Sequence, residues 1–281
     1  MRLRILVDNS THIDRYLLAE PAFSALIETR SGKVLFDLGY SCAFLENARR
    51  MGEEILDVRY VVLSHGHLDH TWGLIPYIMA LTEARIGKKP VSRPRLVAHP
   101  EVFLTKKTGE LPETGMLLSE EKCREHFDLD LSKEPVWLFS DLVFLGEIPR
   151  RFGFEEMVQS GKRMKKSPAG LVPDTLPDDT ALAYVGEEGL VIITGCSHSG
   201  ICNIVAHARE VCGKDKVLDI IGGFHLVGAS ATRIEKTVST LAGMGVTRMH
   251  PCHCTGFAAR CSFSSAFQVE EIGSGWECEY R

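Results

Sequence analysis

Three histidines and an aspartate fall within six residues, His65-Gly66-His67-Leu68-Asp69-His70, directly behind the apolar run Tyr60–Leu63. At the end of a strand, residues two apart point the same way, so His65 and His67 can offer two imidazoles to one cation. Gly66 between them leaves room for the backbone. Asp69 and His70 follow after a turn, and an imidazole with a carboxylate suits a second divalent ion beside the first. A polar surface loop is the plain alternative. The density of the motif disfavours it, since imidazoles and a carboxylate packed this closely need a cation partner when buried. So short a motif cannot complete a coordination sphere, and further donors must come from distant positions.

Three later segments qualify, each behind an apolar run: TGCSHSG at Thr194–Gly200, GGFHL at Gly222–Leu226 and HPCHCTG at His250–Gly256. Loops at strand ends are where the ligand-bearing residues of an α/β scaffold gather, which makes His198, His225 and His253 candidates. His12, His99, His126 and His207 lack such a context and read as structural or surface residues.

The elements that must position these loops are legible in outline. Short β-type runs recur at Leu3–Val7, Ser24–Glu28, Val34–Phe36, Tyr60–Leu63, Leu96–Ala98, Leu142–Leu145, Ala181–Val185, Leu190–Thr194, Val217–Ile221 and Arg248–His250. Helical patterns cover Ala43–Met51, Gly73–Leu81, Glu120–Phe127, Ile201–Val211 and Ala231–Leu241, the first and the last two each stopped by a glycine. Both halves place strands first and then a motif-bearing loop leading into a helix, which predicts a layered α/β fold. No glycine-rich nucleotide-binding turn of either common type is present. Thr105–Gly115 and the basic, proline-rich Gly161–Asp179 read as loops. The second is either a solvated surface or a lid whose Lys162, Arg163, Lys165 or Lys166 meets an anionic substrate.

Thirty-two Lys and Arg against 37 Asp and Glu give a formal charge of −5, which argues against a nucleic-acid or anionic-membrane surface and for a small-molecule partner. No stretch approaches the roughly 18 consecutive apolar residues of a membrane span, and MRLRILVDNS lacks the apolar region of a signal peptide. A cytoplasmic location is expected. The nine cysteines are scattered without the pairing of a disulfide scaffold and read as reduced thiols. Oligomeric state is not legible.

The H-x-H-x-D-H motif at His65–His70, with LFDLG at Leu35–Gly39 and HCTG at His253–Gly256, resembles the metallo-β-lactamase superfamily, and the resemblance covers nearly the whole chain. It implies a four-layer αββα sandwich forming a single domain over 1–281, with insertion or lid loops around 104–135 and 150–179. It implies that His65, His67, Asp69 and His70 bind metal, that Asp37 supports the metal loops, and that His253 completes the second metal site. The middle motifs depart from the common pattern: GEIPR at Gly146–Arg150 and TGCSH at Thr194–His198 place Glu147 and Cys196 where the family has ligands. His198, Cys196 and Glu147, in that order, are the candidates to supply the missing donor. GEIPR, DDTALAY at Asp178–Tyr184, TGCSHSG, GGFHL and HCTG together resemble the narrower subgroup named for 7,8-dihydropterin-6-methyl-4-(β-D-ribofuranosyl)aminobenzene-5′-phosphate synthase.

The resemblance implies one or two divalent ions, zinc by default, with iron, manganese or nickel as alternatives. It implies a metallohydrolase in which a metal-bound hydroxide attacks a small phosphorylated or ester-type substrate, with Asp69 orienting the hydroxide and His225 protonating the leaving group. The alternatives are a transferase whose metals clamp a diphosphate leaving group, as the subgroup name suggests, and a non-catalytic metal or ligand sensor.

Overall fold

The computed structural model describes residues 1–156 and 163–281. Contacts group the chain into two compact units. The first comprises Met1–Ser132, Gln159–Asp178 and Gly273–Tyr280, and the second Lys133–Val158, Asp179–Ile272 and Arg281.

The first unit is built on a seven-stranded sheet. Its order is Glu277–Glu279, Arg2–Val7, Ser24–Thr29, Gly32–Phe36, Tyr60–Val62, Arg95–Ala98 and Asp128–Leu131. The first four strands pair antiparallel and the last four pair parallel. Parallel strands need crossover connections that cover the sheet faces, so they read as short continuous apolar runs, as YVV at Tyr60–Val62 does. Helix Leu74–Ile86 is such a crossover, burying Leu74, Tyr77, Leu81 and Ala84 at helical spacing. Gly73 begins it because a Cβ there would stand 2.0 Å from the Leu38 carbonyl oxygen. Parallel pairing also brings Asp37, the Ser64–His70 segment and His99 to the same, carboxyl, end of neighbouring strands.

Two stretches expected as loops are partly regular. Thr105–Gly115 contains the strand Lys106–Thr108, and Gly161–Asp179 contains the hairpin Arg163–Ser167 with Gly170–Pro173, the three strands forming a small antiparallel sheet. The expected 104–135 insertion also supplies helix Glu120–His126 and the edge strand Asp128–Leu131. Polar runs such as RMKKS hide these strands from a hydrophobic-pattern reading, because a hairpin on the surface has little apolar face to show.

The second unit is a seven-stranded sheet of order Gln268–Val269, Arg248–Cys252, Val217–Gly223, Leu190–Thr194, Ala181–Val185, Leu142–Phe144 and Val136–Phe139. Its first four strands pair parallel, its last four antiparallel. Helices Ile201–Cys212, Ala231–Gly243 and Phe257–Ser264 pack Ile201, Val205, Ile234, Leu241 and Phe263 into one apolar core with the sheet. Gly213 ends the first of them in the left-handed conformation at φ 59°, which a glycine adopts without strain. Segments TGCSHSG, GGFHL and HPCHCTG leave the carboxyl ends of three adjacent parallel strands. All nine cysteines are free thiols, and among the described residues no helix is long and apolar enough to cross a membrane.

Candidate metal centre

In the first unit the His65–His70 segment is held from below. Asp37, buried and at φ 55°, accepts the Ser64 amide at 2.7 Å, the Ser64 hydroxyl at 2.6 Å and the His70 Nδ1–H at 2.6 Å. The bond to Asp37 fixes the His70 tautomer with its Nε2 unprotonated, 3.7 Å from the Asp69 carboxylate. Ser64 Oγ lies 2.9 Å from His65 Nδ1, turning the other nitrogen of that ring outward. His65 Nε2 and His67 Nδ1 then converge to 3.0 Å. Burial, with Lys106 adding to it, pushes the His67 imidazolium down to about 4, so the ring is neutral at pH 7, as a metal ligand must be.

The loop is also held from above by residues that sequence reasoning missed. Gly66 donates its amide to Asp178 Oδ2 at 2.8 Å, and the other Asp178 oxygen accepts from Lys106 Nζ at 2.8 Å. Lys106 also reaches Asp174 at 3.0 Å, all three side chains being buried. Burial alone would raise Asp178, but the Lys106 ammonium outweighs it and holds the carboxyl below its ordinary range. A Cβ at Gly66 would come within 2.6 Å of the Val102 carbonyl oxygen, so the glycine is required by close approach. A faint signal existed: Asp178 opens DDTALAY, one of the motifs that carry the resemblance.

In the second unit the three motif loops meet. Ser197, His225 and His253 all adopt left-handed φ values, 59°, 48° and 48°, an arrangement that ordinary residues keep only when their surroundings impose it. Asp179 accepts both the amide (2.8 Å) and the hydroxyl (2.5 Å) of Ser199, fixing the TGCSHSG loop. The His198 and His225 rings lie 4.1 Å apart by centroids. Cys196, His225 and Cys254 each present a donor atom within 4.8 Å of the other two. Burial opposes ionisation of Cys254, but its bonds to Cys196 and His225 and the nearby His253 bring its thiol well below the ordinary value.

Glu147 and the described residues of the basic segment fall elsewhere. Glu147 is half exposed, 3.9 Å from Lys133 Nζ, and among the described residues it joins no His/Cys donor group of its unit. Gly146, where a Cβ would clash with the Lys133 carbonyl at 2.3 Å, turns the chain just before Glu147, while Ile148 of the same segment is buried in the core. Lys165 is ion-paired with Glu101, Arg163 is part-buried in the hairpin and Lys166 is exposed. Lys162 lies outside the described residues.

Residues 18–209 match the family model of the metallo-beta-lactamase superfamily. The chain belongs to the metallo-beta-lactamase superfamily. This superfamily chain is 32% identical over 265 residues, 92% of its length and 91% of the relative's, to an uncharacterized protein of Methanocaldococcus jannaschii. A second relative from that organism, 7,8-dihydropterin-6-methyl-4-(beta-D-ribofuranosyl)-aminobenzene-5′-phosphate synthase, is 31% identical over 266 residues, 90% of this chain and 86% of the synthase. Among solved structures, a metal-dependent hydrolase of the beta-lactamase superfamily superposes with a TM-score of 0.83 at 29% identity, covering 99% of this chain and 98% of that one. The mixed α/β architecture expected from the sequence is the fold of these neighbours.

Proposed function

We propose that this superfamily member is a metal-dependent hydrolase of a small anionic substrate, phosphorylated or ester-type. The first unit, taken by itself, would offer His65, His67, Asp69 and His70 as ligands, and the second His198, His253 and Cys196, with zinc the default ion. The observation that carries this reading is the convergence of His65 Nε2 and His67 Nδ1 to 3.0 Å, with Ser64 and Asp37 fixing the neighbouring tautomers. Neutral imidazoles beside one carboxylate are a donor set suited to a divalent cation, and Zn–N bonds are about 2.0–2.1 Å long. A divalent ion bound there supplies Lewis acidity toward a phosphoryl or carbonyl oxygen and lowers the pKa of bound water.

The chain's own contributions are orientation and proton handling. Asp37 and Ser64 keep the ring nitrogens pointed the right way, and Asp178 pins the Gly66 amide so that the two histidines keep their spacing. Asp69, a quarter exposed, would both hold the ion and orient the attacking hydroxide. The test is product analysis with a phosphodiester offered alone in water, before and after chelation. Turnover that disappears with chelator and returns with zinc supports hydrolysis. A second reading, transfer onto an aminobenzene ribose phosphate from a pterin bearing a diphosphate leaving group, is supported by the likeness to the Methanocaldococcus synthase. It predicts no consumption of either substrate alone and product only when both are present.

A further inference from the structure

Cys254 sits in the HCTG motif without a ligand role of its own there, yet its surroundings are shaped for it. Its Sγ accepts the His225 amide at 3.2 Å and lies 3.4 Å from the Cys196 carbonyl oxygen. A Cβ at Gly223 would stand 2.6 Å from that sulfur and 2.5 Å from the Gly195 oxygen, so the strand end is kept bare where the thiol enters. His225 holds φ 48° in the same turn, a conformation that costs free energy and here places its ring beside two thiols. Donor atoms of Cys196, His225 and Cys254 lie within 4.8 Å of one another. On a tetrahedral zinc ion with ordinary bonds two sulfurs are about 3.8 Å apart and a sulfur and an imidazole nitrogen about 3.6 Å, so closing this group on an ion needs a contraction of at most about 1.2 Å.

We propose that Cys196, His225 and Cys254 form a thiolate-rich metal site within the second unit, taking a thiophilic divalent ion of the zinc class with one coordination position open. Two sulfurs and an imidazole select such an ion over magnesium or calcium, which prefer oxygen. The site goes beyond the hydrolase reading, in which Cys254 has no part. It gives Cys196 to this ion, which leaves His198 as the donor of TGCSHSG in that reading, and it makes His225 a ligand in place of a proton donor.

The full chain, stripped of metal by a chelator under reducing conditions, is titrated with Co²⁺ as a coloured stand-in for zinc. In the wild type a sulfur-to-cobalt charge-transfer absorption of two-thiolate intensity is expected. Cys254→Ser should halve that intensity and weaken this class of site by about tenfold or more, whereas His67→Ala should leave the band intact while lowering total bound cobalt. No band in the wild type, an undiminished band in Cys254→Ser, or a band lost in His67→Ala would each overturn the proposal. Alkylation with iodoacetamide, read by mass spectrometry on the unmutated chain, gives a check that needs no variant to fold. Zinc should protect both Cys196 and Cys254, and a Cys254 rate that zinc leaves unchanged counts against the site. Failure of the hydrolase reading shows separately, as unchanged metal content in His67→Ala.

Discussion

Replacing Lys106 with Met keeps the length of the side chain and removes only its ammonium. That ammonium is the buried partner of two carboxylates, Asp174 at 3.0 Å and Asp178 at 2.8 Å, and side-chain exposure is 1%, 1% and 0% for the three. Breaking a buried ion pair from one side costs about 3–5 kcal/mol, because the remaining charge keeps its desolvation penalty and loses its compensation. The cost should depend on pH. In the wild type Asp178 titrates below its ordinary 3.8 and Lys106 above its ordinary 10.5. Their mutual stabilisation is therefore fully present between those two values, lost as pH falls through the depressed carboxyl value or rises through the raised amine value. In the variant, burial without the ammonium drives the Asp178 carboxyl upward instead, and protonation then relieves it. Urea unfolding of both proteins at pH 7 and pH 5 should show a deficit of about 3–5 kcal/mol that shrinks at the lower pH. A deficit below about 1 kcal/mol, within the range of a surface pair, or one equal at both pH values, would refute the assignment of this triad as a buried electrostatic anchor.

Asp37→Asn turns an amide NH₂ toward either Ser64 or His70, and metal affinity should fall by about 10–100-fold by equilibrium dialysis, as for other residues that orient a ligand histidine. Gly66→Ala must push the new methyl group against Val102 and Lys106, and a loss of about 1–3 kcal/mol in thermal or urea unfolding is expected. Glu147→Gln should leave metal content by elemental analysis unchanged, since that carboxylate faces solvent beside Lys133.

The fold was legible where burial writes a pattern. Ser24–Thr29, Ala181–Val185 and Leu190–Thr194 were located to within a residue because their apolar runs are continuous. Strands without such a run were missed: Lys106–Thr108 and Arg163–Ser167 carry cationic side chains, and Gln268–Val269 is too short to show a period. Helix Phe257–Ser264 was missed too, for it buries only Ala259 and Phe263 and follows directly on the HCTG motif. At the candidate site the histidines were visible because imidazoles at that density are unusual in any sequence. Lys106 and Asp178 were not, since a single lysine and a single aspartate 72 residues apart leave no periodic trace of their contact. Cys254 reads from the sequence as a partner of the other C-terminal cysteines, and its nearness to Cys196 and His225, with donor atoms within 4.8 Å, leaves no trace in the spacing.

The central claim is that the His65–His70 segment holds a divalent ion through converging imidazoles. Elemental analysis of purified wild-type chain beside His67→Ala tests it most directly. At least about 0.5 divalent ion per wild-type chain is expected, with a clear fall in the variant while its circular dichroism is kept. The same ion content in both proteins, or none in the wild type after growth and purification with zinc present, would contradict it.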